Sequence, residues 1–416
     1  MPIQRNSIHI VKTFFFLFIS LSPLWAQKAN KKVLFVIVDG IAPDALKKAG
    51  TPNLDKIATQ GGFVQAYVGG QKKTYTQTPT ISAVGYNSLL TGTWVNKHNV
   101  WGNDISAPNY HYWTIFRFFK EQYPAKRTAI FSSWLDNRTK LLGDNLEQTG
   151  HFKPDYYIDG FELDTLHFWH DEDKKYMHEI DETVVNQAST YIKTQSPDLS
   201  WVYLEYTDDM GHRYGDSDPY YEAIRIMDAQ MGRLWEAVSY RKKTFAEDWL
   251  MVVTTDHGRD LQSGKNHGGQ SDRERSTWVV TNAKKLNTYF RQDTPAIVDI
   301  MPTVARHLDV TFPKIQAFEI DGVPFTGKIS IAKPTAEKIG NTLNLGWKAY
   351  QPEGTVKIWL TTTNHFETGK EDQYLLMGEI PVTAEKASLD LSKLPSQFYK
   401  IALEAPYNSV NRWVLP

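Results

Sequence analysis

Val33-Leu34-Phe35-Val36-Ile37-Val38, followed at once by Asp39-Gly40, is the stretch on which the fold turns. Six consecutive apolar residues, four of them β-branched, leave no polar face for water. Such a run suits a strand buried on both sides, as in a parallel sheet covered by helices. Similar runs recur at Thr128–Phe131, Trp201–Tyr206 and Trp249–Thr254. Helical patterns lie between them, notably Tyr220–Trp235, with apolar residues near every third or fourth position. Thr51-Pro52-Asn53-Leu54 reads as a capped helix start with Pro52 in the first turn. Strand–helix alternation implies an α/β body with a parallel-rich sheet flanked by helices. In such sheets the site lies beyond the carboxyl ends of the strands.

Those ends carry the chemistry. The first strand delivers Asp39. The Trp201–Tyr206 strand runs into Asp208-Asp209-Met210-Gly211-His212, and Trp249–Thr254 into Thr255-Asp256-His257-Gly258. His267 follows ten residues later, in Asn266-His267-Gly268-Gly269. Each piece alone has an ordinary reading, as a turn cap or a structural histidine. Their joint occurrence at one sheet edge points to a metal site. The 416 residues include no cysteine, which excludes a disulfide framework, a thiolate nucleophile and Cys-ligated metals. Carboxylate and imidazole ligands without thiolate suit Zn²⁺ first, and Mn²⁺ or Mg²⁺ after it. Ser82 lies where a strand-to-helix turn is expected, in Pro79-Thr80-Ile81-Ser82-Ala83-Val84-Gly85. A helix start favours an anion there, although a plain N-cap is the simpler local reading.

In this order the motifs resemble the alkaline phosphatase superfamily, in particular its type I phosphodiesterase/nucleotide pyrophosphatase branch. The likeness covers roughly residues 31–325 and includes Asp299-Ile300-Met301-Pro302-Thr303 and Asp321-Gly322. It implies a two-zinc phosphoric ester hydrolase working on a small phosphate-ester substrate. Asp208, His212 and His267 match the ligands of one ion. Asp39, Asp256 and His257 match those of the other, with Ser82 as metal-reaching nucleophile and carrier of a covalent phosphoseryl intermediate. Asn103, twenty-one residues after Ser82, matches the asparagine that bonds a phosphoryl oxygen. The nucleophile run departs from the branch: Ser82-Ala83 stands where its pyrophosphatases place Thr-Phe, and is similar to true alkaline phosphatases. Arg138, in Leu135-Asp136-Asn137-Arg138, matches a phosphate-binding position of family phosphomonoesterases, which keeps a monoesterase as an alternative. A non-catalytic surface binding protein is the alternative from another class. The sulfatase signature is absent.

The remaining sequence frames this body. Arg5 and Lys12 precede Phe14–Leu21, and Leu24-Trp25-Ala26 ends on a small residue, the pattern of a signal peptide over residues 1–26. Export to the periplasm or the extracellular space is expected, with no stable membrane span after cleavage. The formal charge of −1 becomes −3 once Arg5 and Lys12 are removed, so no global field draws nucleic acid. The catalytic domain is expected over 31–330, with a cap insertion at about 104–200. Lys333-Pro334-Thr335 reads as a linker. Short β-rich runs separated by turns then predict a small antiparallel, sandwich-like accessory domain over 336–416.

Overall fold

The computed structural model describes residues 1–2 and 30–415. The expected leader therefore lies, apart from its first two residues, outside the described residues. β1 (Lys31–Val38) runs through the middle of a seven-stranded sheet. The others are β2 (Gly62–Tyr67), β3 (Thr128–Ser132), β4 (Tyr156–Ile158), β5 (Leu199–Leu204), β6 (Asp248–Thr254) and β7 (Ser276–Thr281). Their spatial order is β2-β7-β6-β1-β5-β3-β4. β6, β1, β5, β3 and β4 run parallel, and β7 and β2 close one edge antiparallel.

The apolar run of β1 has the expected cause. Val33, Phe35 and Ile37 face one helical layer, which includes the Ser82–Thr91 and Ile115–Gln122 helices. Leu34, Val36 and Val38 face the other, built by the Lys175–Gln195 and Asp218–Phe245 helices. Each such side chain contributes roughly 1.5–3 kcal/mol on burial. The aromatic stretch Tyr112–Phe119 feeds the first layer: Ile115, Phe116, Phe118 and Phe119 are all buried. The Pro52–Ala58 helix start is capped from a distance. Asp228 accepts from the Asn53 and Leu54 amides (3.0 and 2.9 Å), and Thr51 supplies no cap bond.

Two boundaries differ from expectation. Residues 104–200 do not form a cap apart from the sheet, because β3, β4 and β5 lie within or at the end of that stretch. Residues 333–335 are not a linker: they belong to β8 (Ile331–Ile339), with a register break between Ala332 and Thr335 beside Pro334. A proline lacks the ladder donor, so it sits where pairing is interrupted. The antiparallel tail continues with β9 (Thr342–Ala349), β10 (Thr355–Thr361), β11 (Leu375–Pro381), β12 (Lys386–Asp390), β13 (Tyr399–Glu404) and β14 (Ser409–Val414). One sheet has the order β11-β10-β13-β14 and the other β12-β9-β8. Their apolar side chains are continuous with the core around the Ser82–Thr91 helix.

Candidate metal centre and nucleophile

β1 and β6 are neighbours in register, with Ile37 opposite Thr254, so Asp39 and Asp256 emerge side by side. Both are buried. Asp39 Oδ2 accepts from the Tyr203 hydroxyl (2.8 Å) and from the Tyr86 hydroxyl. Asp256 Oδ1 accepts from the Gly40 amide at 3.2 Å. Asp39 Oδ1 and Asp256 Oδ2 have no hydrogen-bond partner. Each lies 3.3 Å from His257 Nε2, which also lies 3.3 Å from Ser82 Oγ. His257 Nδ1 is 2.9 Å from the Gly258 carbonyl. A carbonyl only accepts, so Nδ1 carries a proton, and Nε2 is the ring atom that faces the carboxylates and that a cation would take. Four donor atoms thus converge, two of them buried oxygens without partners. Such oxygens cost about 1–3 kcal/mol each when unsatisfied, and a cation among them removes that cost. The donor set fits a zinc-type ion.

The charges agree. Burial and the neighbouring Asp39 charge push the Asp256 carboxyl well above its ordinary range. Burial lowers the His257 imidazole, but Asp256 and Asp39 outweigh it and raise the ring to about 9. The cluster is short of positive charge.

The second group forms beyond β5. Asp208 and His212 are one turn apart on the Tyr206–Tyr214 helix, which places them on one face. His212 Nε2 is 3.1 Å from Asp208 Oδ2 and 3.0 Å from His267 Nε2. His267 Nδ1 bonds the Thr80 carbonyl at 2.9 Å, so its Nε2 also turns inward. The His267 and His257 rings stack, with centroids 3.7 Å apart. Asp208 groups tightly with His257 and His267, as Asp39 and Asp256 do with His257. All six expected ligands therefore share one cluster, with His257 common to both tight groups.

Ser82 is the first residue of a helix whose ten residues are all buried. That packing holds its hydroxyl still. The Ala83 amide donates to Asn103 Oδ1 at 3.0 Å. This bond identifies the oxygen of the exposed Asn103 amide and leaves Nδ2 as a donor beside Ser82. Arg138 has a different setting. Its guanidinium forks onto Asp159 (2.6 and 2.9 Å), pairs with Asp144 and lies 3.8 Å above the Tyr157 ring. Its charge is spent on two carboxylates, so the structure gives it no free fork for phosphate.

Arg259 was not singled out from the sequence, yet it organises the site. It is fully buried and donates to the carbonyls of Gly40 (2.9 Å), Asp208 (2.7 Å) and Lys265 (3.0 Å), and to Asp208 Oδ1. Burial opposes ionisation of Asp208, but the Arg259 charge wins and holds that carboxyl well below its usual range. The motif glycines follow from this. A Cβ on Gly211 would lie 2.1 Å from Arg259 Cζ, and one on Gly40 would lie 2.2 Å from Asp208 Oδ1. Gly40 also has φ +70°, which side-chain-bearing residues rarely adopt. Tyr86 and Tyr203 were likewise missed. The available signal was Tyr86 at i+4 from Ser82, one helical turn along the same face.

A parallel-rich sheet with Asp and His side chains clustered at its carboxyl edge and a serine at a helix start defines an alkaline-phosphatase-like protein. The sequence model of the type I phosphodiesterase/nucleotide pyrophosphatase family matches residues 33–272, and the chain belongs to that family. Human ectonucleotide pyrophosphatase/phosphodiesterase family member 7 is 23% identical over 248 residues, 57% of this chain and 50% of that protein. The chain thus spans about half the length of that curated relative. Among solved structures, human ectonucleotide pyrophosphatase/phosphodiesterase 5 matches at 16% identity and TM-score 0.49, covering 68% of this chain and 96% of that one. A putative sulfatase from Bacteroides thetaiotaomicron shares the fold at 10% identity and TM-score 0.50, covering 88% and 86%.

Proposed function

We propose that this chain is an exported two-zinc hydrolase of phosphoric diesters or pyrophosphates, with Ser82 as nucleophile. The observation that carries the reading is the convergence of Ser82 Oγ and His257 Nε2, 3.3 Å apart, on the partnerless oxygens of Asp39 and Asp256. Asp39, Asp256 and His257, with Ser82, would hold one ion, and Asp208, His212 and His267 the other. Bound metal ions supply charge neutralisation at the phosphoryl group and lower the pKa of the serine hydroxyl.

The chain's own residues do the rest. The buried helix aims Ser82 Oγ at the phosphorus. As the Oγ–P bond forms, the serine hydroxyl gives up its proton and the ester or anhydride P–O bond breaks. The leaving oxygen departs and takes up a proton, and the phosphoryl group, still carrying its other substituent, stays on Ser82. Water then cleaves the Oγ–P bond, releases the monoester and returns a proton to Ser82 Oγ. Asn103 Nδ2 donates to a phosphoryl oxygen, because its Oδ1 is already engaged. Tyr86 and Tyr203 hold Asp39 in one rotamer, so its free oxygen keeps its direction. The monoesterase alternative rested on Arg138, whose guanidinium is taken by Asp159 and Asp144. Among the described residues no helix is long and apolar enough to cross a membrane.

The test is turnover of an aryl phosphodiester and an aryl phosphomonoester by the metal-replete enzyme. Diester turnover should dominate, and a chelator should remove it. Ser82→Ala should lower it by at least about 10³-fold with metal content unchanged. Full activity of that variant would exclude Ser82 as nucleophile.

A further inference from the structure

A second polar cavity, of about 490 Å³, opens where the antiparallel tail meets the catalytic body. Arg275 enters it from the strap that follows His267, and Arg412 from β14. Tyr67, from the end of β2, lines the same cavity. Arg275 donates only to neutral acceptors: the Gly69 carbonyl (2.8 Å), the Gly70 carbonyl (2.5 Å) and Gln270 Oε1 (2.7 Å). Arg412 donates to the Asn411 carbonyl at 3.2 Å. Among the described residues neither guanidinium has a carboxylate within ion-pair reach. The contrast with Arg138, Arg241, Arg259 and Arg273 is direct, since each of those is paired with an acid.

The carboxylates that line the cavity are already engaged. Asp321 takes the Lys97 ammonium and the Trp94 amide. Asp299 accepts from Tyr289, Ala296 and Val323. Among the described residues the Tyr67 hydroxyl has no hydrogen-bond partner, and its ring stacks on Trp94 at 5.9 Å. Burial and the Asp299 charge raise the Tyr67 phenol to about 12, with the Arg412 and Arg275 charges pulling against them. Two like charges facing one cavity repel, and a dianion between them converts that repulsion into charge-assisted hydrogen bonds.

We infer that the seam between the catalytic body and the β tail is a binding site for a phosphate-type oxyanion, gripped by Arg275, Arg412 and the Tyr67 hydroxyl. The volume is in the range of small-molecule sites rather than that of a lone ion. A phosphate carried on a sugar-sized body therefore suits it, and free phosphate shares the same grip. The inference does not depend on the proposed catalytic activity.

Crystals of the metal-loaded protein soaked in tungstate give the direct test. An anomalous peak between Arg275 and Arg412 is expected, separate from any peak at Ser82. Arg412→Ala should lose the seam peak and keep turnover. In solution, the affinity of a hexose phosphate for metal-loaded Ser82→Ala protein should fall at least tenfold at the seam when Arg412→Ala is added. Tyr67→Phe, which keeps the ring and its stacking, should weaken it about threefold. Tighter binding of the hexose phosphate than of inorganic phosphate would identify an organic ligand, and equal binding would identify free phosphate. Both outcomes support an oxyanion site. Tungstate at the Ser82 site alone, or a seam peak and affinity unchanged by Arg412→Ala in a variant with native melting behaviour, would overturn it.

Discussion

Single side chains set the electrostatics of the centre, and Arg259 shows how. Its guanidinium is inaccessible to water and touches Asp208 twice, through the carboxylate and the carbonyl. Removing one partner of a buried pair leaves an uncompensated charge, which typically costs about 3–5 kcal/mol. Arg259→Met should therefore lower unfolding free energy by about that amount in urea titrations of chelated protein. It should also lower metal content, because Asp208 loses the contact that orients it. Arg259→Lys keeps the charge but not the fork, and should recover only part of the loss. A change below about 1 kcal/mol for Arg259→Met would mean that Asp208 is held by other contacts. The sequence offered little warning of this role. Asp256-His257-Gly258 advertises a ligand site, whereas the next arginine looks like any surface cation until the fold buries it against Gly40 and Gly211.

Whole elements are tied to one another through buried acids, and Asp299 is the clearest. It begins the turn into the Ile300–His307 helix and accepts from Val323 (2.6 Å), Ala296 (2.7 Å) and Tyr289 (2.8 Å). It thereby ties that helix to the loop after Asp321. Burial raises its carboxyl to about 7. An unfolded carboxyl titrates near 4, so between about pH 4 and 7 the folded chain retains a proton that the unfolded chain has shed. The stabilising contribution is then complete below about pH 4 and is lost as pH rises through 7. Asp299→Asn cannot titrate. Its urea-derived stability should thus gain on the wild type as pH goes from 5 to 8, whatever the cost of the substitution itself. A gap independent of pH would assign the slope to other groups.

At the scale of the molecule, the tail is locked to the body by buried charge. Lys400, on β13, lies between Glu319 of the body and Asp372 of the tail, 2.7 Å from each. Lys97 reaches across to Asn411 (2.9 Å) and also bonds Asp321 (2.7 Å). Trp413 sits within 6 Å of both ammonium groups. Lys400→Met should cost about 3–5 kcal/mol, because two buried carboxylates lose their cation. Urea unfolding of the intact chain should show a single transition, while the variant should separate or shift the tail, as limited proteolysis would report. An unshifted transition in Lys400→Met would show that apolar packing alone joins the parts. Much of this protein was determined by its sequence alone. The unbroken apolar run at 33–38 required a strand covered on both sides, and the Asp and His residues after successive strands had to meet at one edge because parallel strands share a direction. Only the tertiary structure decided which donors lack partners, that Arg138 is neutralised while Arg275 and Arg412 are not, and that the supposed linker is a strand. Those outcomes depend on contacts between residues far apart in the chain, and a local pattern carries no record of them.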